Sequence, residues 1–358
     1  MEHIGKFVLY LILAVNALFV GMLILSAYSP YLQPKIHPIA SCLGLAFPIF
    51  LAVNICFTLF WVIISYRYAL LPVIGFLVCI PQIRTYIPIN STVETIPDGS
   101  IKFLSYNVMG FNNLEKKEGK NPILSYLADS EADIICLQEY NSTKNKKYLT
   151  DEDISKALKA YPYRSIHNPE RGGSQLACFS KFPILSARPI KYESTYNGSM
   201  QYTLKVNEDT ITLINNHLES NKLTKEDKVI YEDMIKDPNA KKVKTGLRQL
   251  IKKLAEASAI RSSQADSVAV AIANSKYPTI IACGDFNDAS ISYTHHILTQ
   301  QLDDAFTQSG RGLGISYNLN KFYFRIDNIL ISPNQKAYNC TVDRSIKDSD
   351  HYPIWCYI

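Results

Sequence analysis

Five short polar motifs recur along residues 101–358, each directly after an apolar segment. They are Ser105-Tyr106-Asn107, Gln138-Glu139, Asn216-His217-Leu218, Gly284-Asp285-Phe286-Asn287 and Ser349-Asp350-His351. An apolar run such as residues 278–283 predicts a buried strand, and the polar residues that follow it lie at the edge of the sheet. Carboxylates, amides and imidazoles gathered at one edge suit an oxygen-liganded divalent cation beside general acid–base groups. Hydrolysis of a phosphoester needs both.

The candidate ion ligands are two acidic residues and one amide. Glu139 ends a predicted strand, and Asp350 precedes His351 near the end of the sequence. Mg²⁺ prefers one or two carboxylates and keeps several waters, so a small acidic set is enough. Asn107 is placed either to add an amide oxygen to the ion's shell or to orient Glu139. A solvated sheet edge is the competing interpretation for one strand-end glutamate.

Asp285 and Asn287 lie two residues apart. In an extended segment they share one face, so the carboxylate and the amide can point at one group. Asn287 is then able to donate to a phosphate oxygen, while Asp285 holds the attacking water or a second ion. A plain turn is the competing interpretation of this motif.

His217 and His351 each close a predicted strand, although a buried structural histidine is the competing interpretation for each. His295 and His296 are adjacent in a predicted helix, where neighbouring side chains diverge, so we expect a structural role for both. Asp327 lies on the strand before the last hairpin, within reach of His351. Such a carboxylate fixes the tautomer of an imidazole and stabilises the imidazolium.

Alternating or apolar segments predict the strands that position these motifs. They cover residues 101–106, 134–137, 176–180, 202–206, 211–215, 278–283, 325–331, 339–342 and 353–358. Asn121-Pro122 has the pattern of an N-cap followed by proline at the first helical position, which predicts a helix to about Asp129. Apolar residues at helical spacing predict a second helix over 241–273. Many strands with few helices favour stacked sheets flanked by helices.

The segment 221–253 is locally basic, with ten basic residues against five acidic ones. One interpretation is the solvated face of a helix. The other is a basic cover beside the cleft, because the segment follows the His217 motif directly. Such a cover would attract an anionic substrate or a lipid headgroup.

Residues 1–90 and 91–358 differ sharply in composition. The first part contains only Lys6, Lys35, Arg67, Arg84 and Glu2 as charged side chains, which leaves 33 of the 37 basic and 31 of the 32 acidic residues for the second. The second part is long enough for one large core. We therefore predict a membrane anchor over 1–90, a linker rich in turn formers over 91–100, and one domain over 101–358.

Three apolar segments of the anchor predict transmembrane helices, over residues 7–27, 39–65 and 68–86. The first two are long enough to cross about 30 Å of hydrocarbon. Pro72, Pro81 and Arg84 interrupt the third. A cleaved signal peptide is the alternative for the first segment, but the two further segments favour an anchor that stays attached.

The sidedness of the anchor depends on few charges. Lys6 and Arg67 would share one side and Lys35 and Arg84 the other, so the positive-inside count is a tie. The N-terminal amine and His3 favour a cytoplasmic N terminus. After three crossings, that orientation places the large domain outside the cytoplasm.

Taken in order, the five motifs and Arg325-Ile326-Asp327 resemble those of the endonuclease/exonuclease/phosphatase superfamily. This superfamily includes DNase I-like nucleases, sphingomyelinases and inositol polyphosphate 5-phosphatases. The resemblance covers about residues 100–358 and implies an α+β fold, a four-layer α/β/β/α sandwich of the DNase I type. Membrane-attached versions of the domain occur in bacteria, so it also implies a multi-pass protein of a bacterial inner membrane.

The resemblance implies a role for each matched residue. Glu139 would bind Mg²⁺ or Mn²⁺, supported by Asn107 and Asp350. The catalytic residues that it implies are His217, Asp285, Asn287, Asp327 and His351. Among these, the Asp285-Phe286-Asn287 segment would hold the nucleophilic water and the phosphate, and the two imidazoles would flank the scissile phosphate. The general base is not assigned.

Three functions remain open for this chain. The first is a membrane-anchored, metal-dependent phosphoesterase whose substrate is a phosphate ester, including a lipid headgroup. The second is a Mg²⁺-dependent nuclease, for which a broad basic surface with aromatic residues is expected, and only 221–253 is basic. The third is a non-catalytic membrane receptor or scaffold with the same fold, which the intact acid, amide and imidazole set disfavours.

Overall fold

The computed structural model describes residues 2–358 except for 118, 170–172, 195, 223–239, 318 and 320–322. The side chains of residues 2–5 and 240–245 also lie outside the description. Most of the basic segment 221–253 therefore falls outside the described residues.

Twelve strands in the described ranges form two six-stranded sheets. They are β1 Lys102–Asn107, β2 Ile134–Tyr140, β3 Tyr163–His167, β4 Gln175–Ser180, β5 Ile184–Pro189, β6 Gly198–Val206, β7 Asp209–His217, β8 Ile280–Asp285, β9 Asp303–Asp304, β10 Asp327–Ile331, β11 Tyr338–Val342 and β12 Ile354–Tyr357. The first sheet has the order β11-β12-β1-β2-β4-β3 and the second β5-β6-β7-β8-β10-β9. Each sheet contains one central parallel pair, β1 with β2 and β7 with β8.

Each of the nine predicted strands corresponds to a strand of the structure. The strands that the sequence did not indicate are β3, β5 and β9. Because β3 and β5 lie at sheet edges and are largely exposed, they lack the apolar pattern of a buried strand. Strand β9 is only two residues long.

The main hydrophobic core lies between the two sheets. Phe103 and Cys136 come from the first sheet, and Tyr202, Cys283 and Ile329 come from the second. All eight cysteines of the chain are free thiols. Those in the strands behave as small core residues.

Helices cover the outer faces of both sheets and form most of residues 2–90, the segment that the sequence predicts to be a membrane anchor. They are α1 Glu2–Tyr28, α2 Pro38–Ser41, α3 Phe47–Ile64, α4 Leu70–Val78, α5 Ile80–Tyr86, α6 Pro122–Asp129, α7 Asp151–Ala157, α8 Ala240–Ala273, α9 Tyr293–Thr299 and α10 Ala305–Ser309. Helices α6 and α7 pack on the first sheet, and α8 and α9 pack on the second. This arrangement confirms the predicted four-layer α/β/β/α sandwich.

The predicted start of α6 is confirmed in detail. The side-chain oxygen of Asn121 accepts a hydrogen bond of 2.9 Å from the backbone N–H of Leu124, and Pro122 occupies the first helical position. The cap satisfies one of the N–H groups that a helix start leaves without a partner.

Two segments of the anchor are long and apolar enough to cross a membrane, residues 6–31 and 38–64. The third predicted span is a pair of short helices, α4 and α5, bent by 69°. A buried polar network joins α1 to α3. Trp61 Nε1 donates to Asn16 Oδ1 at 2.9 Å, and Asn16 Nδ2 donates to Asn54 Oδ1 at 3.3 Å. Polar contacts of this kind hold apolar helices together where the hydrophobic effect between them is weak.

The anchor packs directly against the domain. Ile291 of the domain belongs to the same apolar cluster as Phe47 of α3. The ring of Tyr31 lies 4.3 Å from the ring of His296. Asn90, just after α5, donates to the carbonyl oxygen of Gly310 at 2.8 Å.

One buried ion network also reaches the anchor. Arg325 Nη1 lies 2.9 Å from Asp304 Oδ2, and Arg325 Nη2 donates to the carbonyl oxygen of Thr85 at 3.0 Å. His295 Nε2 lies 3.2 Å from the same oxygen of Asp304. This contact agrees with the structural role that the sequence predicts for His295.

Candidate active site

Strand register brings the predicted residues to one end of the sandwich. The parallel pair β7 and β8 places His217 opposite Asp285, and the antiparallel pair β8 and β10 places Asp327 opposite the same Asp285. In the other sheet, Asn107 lies opposite Gln138, next to Glu139. Since a shift of one residue in register would turn each side chain to the other face, these pairings determine the site.

Asp285 lies at the centre of the cluster and is buried. Its Oδ2 atom accepts hydrogen bonds from Asn107 Nδ2 at 3.1 Å and from Asn287 Nδ2 at 3.2 Å. The Nε2 atoms of His217 and His351 each lie 3.6 Å from the same oxygen. Burial raises the pKa of Asp285 to about 6. The polar atoms of these four side chains therefore surround one carboxylate.

His351 is held by the predicted carboxylate partner. Its Nδ1 atom lies 2.8 Å from Asp327 Oδ2, and both side chains are buried. Burial lowers the pKa of His351, but the charges of Asp327 and Asp285 outweigh it and raise the pKa well above its ordinary value. This balance favours the protonated imidazole.

His217 has the opposite electrostatic balance. Burial lowers its pKa below the ordinary value, and the nearby charge of Asp285 offsets this only in part. Its Nδ1 atom shares a hydrogen bond of 2.7 Å with the hydroxyl of Ser174, while Nε2 lies 3.7 Å from Glu139 Oε1. The surroundings thus favour the neutral form of His217 and the protonated form of His351. Ser174 lies before β4, outside the motifs at strand ends, so the sequence did not indicate it.

Asn107 links the two sheets across the site. Its Nδ2 atom donates to Glu139 Oε1 at 3.2 Å as well as to Asp285, and its Oδ1 atom accepts from the backbone N–H of Met109 at 3.1 Å. Two roles were predicted for Asn107, and this geometry matches the one in which its side chain orients Glu139.

The donor set fits a hard divalent cation. Glu139 keeps 36% of its side chain exposed, and Asp350 lies on the wall of the same cavity. Burial raises the pKa of Glu139, as it does for Asp285. Carboxylates that are crowded and desolvated in this way are stabilised by a bound cation. Asp285, Asp327 and His351 also lie within 4.8 Å of one another, but the last two are already paired, so the exposed oxygens of Glu139 are the more accessible ligands.

Asn287 is held in a strained backbone conformation, with φ +52°, and Glu139 has φ +53°. Such values are uncommon for residues other than glycine and cluster at functional sites. Both amide protons of Asn287 are used, because Nδ2 donates to the carbonyl oxygen of Leu218 at 3.0 Å and to Asp285. The amide therefore orients Asp285 in this structure.

Gly284 precedes Asp285 with φ +123°, and a Cβ atom there would lie 2.0 Å from the carbonyl oxygen of Asn216. Only glycine permits both this conformation and this approach. The glycine of the motif thus allows β7 and β8 to bring their last residues together.

A buried arginine that the sequence did not indicate supports the site. Arg261 of α8 pairs with Asp288 through Nε at 3.1 Å and donates to the carbonyl oxygen of Glu219 at 2.7 Å. It also donates to Asn221 Oδ1 at 3.1 Å. It therefore ties the segment after His217 to the segment after Asn287. The only signal in the sequence was the position of Asp288 directly after the Gly-Asp-Phe-Asn motif.

The site opens into a cavity of about 560 Å³. The predicted residues on its wall are Glu139, His217, Asp285, Asn287, Asp350 and His351. The ring of Tyr317 lies 5.0 Å from the ring of His351 and forms part of the same wall. Residues of the anchor and of α8 complete the cavity.

Two family models match the chain. Residues 104–351 match the endonuclease/exonuclease/phosphatase family, and residues 9–86 match a domain of unknown function (DUF8431). No curated protein sequence matches the chain.

Several solved structures share the fold. TDP2 from D. rerio, complexed with a single-strand DNA product, is 19% identical, with a TM-score of 0.51 over 73% of this chain and 99% of that chain. An endonuclease/exonuclease/phosphatase from Bacteroides vulgatus is 13% identical, with a TM-score of 0.51 over 72% and 98%. A family protein from Bacteroides thetaiotaomicron is 14% identical, with a TM-score of 0.50 over 72% and 97%.

These structures share the architecture described above, and the family model covers more than half of the chain, including all eight predicted site residues. The chain belongs to the endonuclease/exonuclease/phosphatase family of phosphoric ester hydrolases.

Proposed function

We propose that the chain is a membrane-anchored, metal-dependent phosphoesterase that hydrolyses a phosphodiester or phosphomonoester by attack of an activated water. The observation that carries this proposal is that two imidazoles and two amides surround the carboxylate of Asp285. The surroundings favour the neutral form of His217 and the protonated form of His351, and such a pair suits combined proton transfer and charge stabilisation.

Glu139 and Asp350 would hold Mg²⁺ or Mn²⁺, with Asn107 fixing the position of Glu139. The ion, when bound, polarises the phosphoryl group and neutralises charge that develops on it. The raised pKa of Glu139 supports this assignment, because desolvation outweighs the hydrogen bond from Asn107 and the charge of His351, and a bound cation would offset it.

The remaining roles follow from the protonation states. Asp285, with a pKa of about 6, is largely ionised at neutral pH and is able to hold the attacking water and accept its proton. His351, kept cationic by Asp327, stabilises negative charge on the phosphoryl oxygens. His217 contributes a neutral imidazole on the opposite side of Asp285. Asn287 keeps that carboxylate in place.

We further propose that residues 1–90 form the anchor, 91–100 the linker and 101–358 the catalytic domain. The protein would lie in a bacterial inner membrane with its catalytic domain outside the cytoplasm. Two apolar helical segments support the membrane attachment. Lys6 and Arg67 on one side balance Lys35 and Arg84 on the other. The N-terminal amine and His3 are therefore the support for this sidedness.

Hydrolysis of bis(4-nitrophenyl) phosphate and 4-nitrophenyl phosphate by the full-length chain tests this function. We expect activity with Mg²⁺ or Mn²⁺, its loss in EDTA, and a loss on the order of a hundredfold or more in His351→Ala. His167→Ala is the matched control, because His167 lies on β3, away from the cavity. Equal activity of His351→Ala and the unaltered chain would contradict the proposal.

A further inference from the structure

The cavity of the candidate active site has an apolar wall in addition to the polar residues described above. The apolar wall is formed by residues of the anchor and of helix α8, which lie far from the catalytic motifs in sequence. Its aliphatic residues include Ile39, Leu43, Ile49, Leu250, Ile251 and Leu254. A site that binds a phosphate alone does not need an apolar wall.

The anchor part of this wall belongs to a candidate membrane span. Ile39, Leu43 and Ile49 lie in the first half of the segment 38–64, which is apolar enough to cross a membrane. Ile39 and Ile49 are 65% and 61% exposed, so they also face the surroundings of the protein. A hydrocarbon chain that leaves the bilayer beside this segment therefore meets apolar side chains up to the catalytic cavity.

The α8 part of the wall is one face of an amphipathic helix. Leu247, Leu250, Ile251 and Leu254 follow the spacing of a single helical face and all line the cavity. Helix α8 packs against α2 and the turn at residues 42–46. Lys252, on another face, is exposed. This part of the helix thus presents aliphatic side chains to the cavity and Lys252 to solvent.

The volume and the charges of the cavity favour an amphiphile over a polyanion. A cavity of about 560 Å³ lies within the range of about 300–1,000 Å³ that holds a drug-sized ligand. Two lysine or arginine residues line its described part, and both are paired with carboxylates, as His351 is with Asp327. Lys222 lies 2.6 Å from Glu219, and Arg261 pairs with Asp288 at 3.1 Å. A nucleic-acid strand would require free cations along its backbone.

We propose that the substrate is a membrane lipid with a phosphoester in its headgroup, and that part of its acyl chain lies against the apolar wall during hydrolysis. The proposal rests on the phosphoesterase function given above and specifies the substrate class of the same site. The phosphoester would face Asp285 and His351, while the chain extends between α8 and the first half of segment 38–64. The anchor is then part of the active site as well as a tether.

Equilibrium binding of alkyl phosphates to the full-length chain in detergent tests this inference independently of catalysis. Ethyl, butyl and octyl phosphate present the same headgroup with increasing chain length. We expect the dissociation constant to fall by roughly a hundredfold or more from ethyl to octyl phosphate, since each buried methylene adds affinity. Ile251→Gln and Ile49→Gln, which place an amide in the apolar wall, should each reduce this gain by about tenfold.

Matched controls separate the cavity from the detergent. Ile260→Gln lies on α8 and Ile63→Gln on α3, and neither residue lines the cavity. We expect both to keep the full dependence on chain length. Partition of the ligands into micelles would give the same dependence in all four variants, and that result would overturn the inference.

The binding result is distinguishable from the test of the proposed function. The chain could hydrolyse bis(4-nitrophenyl) phosphate while the wall variants leave the dependence of binding on chain length unchanged. That result would refute the lipid assignment and leave the phosphoesterase function intact. Dependence on chain length that the wall variants remove would support the lipid assignment even if the 4-nitrophenyl esters were not hydrolysed.

Discussion

Asp327 offers the sharpest test of how the site works, because its side chain pairs directly with His351. The two side chains meet at 2.8 Å between Nδ1 and Oδ2. Asp327→Asn keeps the size of the side chain but removes its charge, so the imidazole loses the partner that keeps it cationic. The amide is also able to donate to Nδ1, which selects the wrong tautomer.

The magnitude follows from the distance and the burial. Two unit charges about 4 Å apart at an effective dielectric constant of about 20 interact by about 4 kcal/mol. That energy corresponds to about a thousandfold in rate when it is realised in the transition state. We therefore expect kcat of Asp327→Asn to fall by about a thousandfold, with a small change in KM.

Steady-state hydrolysis of bis(4-nitrophenyl) phosphate measures this effect. Asp303→Asn is the matched control, because Asp303 pairs with β10 in the same sheet but does not line the catalytic cavity. The ¹⁵N shifts of labelled histidine report the protonation of His351 separately from the rate. If Asp327→Asn retained kcat within threefold while folding normally, the role assigned to the pair would be refuted.

Three further predictions concern the ion, the backbone and acid stability. Glu139→Gln should raise the Mg²⁺ concentration for half-maximal activity by on the order of tenfold to a hundredfold. Glu152→Gln, an exposed control, should leave this concentration unchanged. A titration of activity with Mg²⁺ measures both variants. Gly284→Ala should lower the free energy of unfolding by about 3 kcal/mol through backbone strain and steric overlap of the new Cβ. Gly198→Ala, where a Cβ meets nothing within 4 Å, should change this free energy little. Equal unfolding midpoints of the two variants would contradict this reasoning. Burial alone raises the pKa of Asp304, but the neighbouring guanidinium and imidazole lower this pKa below its ordinary value. The ionised carboxylate therefore stabilises the folded chain above about pH 4, and this contribution is lost as the pH falls further. Asp304→Asn should therefore lower the free energy of unfolding by about 3–5 kcal/mol near neutral pH, and this difference from the unaltered chain should shrink below about pH 4. A difference that denaturation experiments find to be independent of pH would count against this prediction.

The central strands could be predicted because their signals are local. The run 278–283 is uniformly apolar and ends in Gly284-Asp285, so both the strand and the polar edge were visible in the sequence. The cap at Asn121 was equally local. The exposed edge strands β3 and β5 were missed, because an exposed strand carries no burial pattern.

The supporting contacts could not be predicted, because they join segments with no relation in sequence. Ser174 meets His217 across 43 residues, and Arg261 meets Asp288 across 27. A serine before a strand and an arginine in a helix are common in any sequence. Their roles depend on the packing of strands β4 and β7 and of α8.

The sequence by itself determined the chemical inventory and the order of the strands that carry it, because strand periodicity and the polar residue after each apolar run are properties of neighbouring positions. Only the tertiary structure decided that the pKa of His217 is lowered and that of His351 raised, since both depend on burial and on carboxylates brought close by strand register. It also decided that the N-terminal helical segment lines the cavity of the candidate active site. That contact joins segments about 200 residues apart, and no local pattern records the long-range packing that creates it.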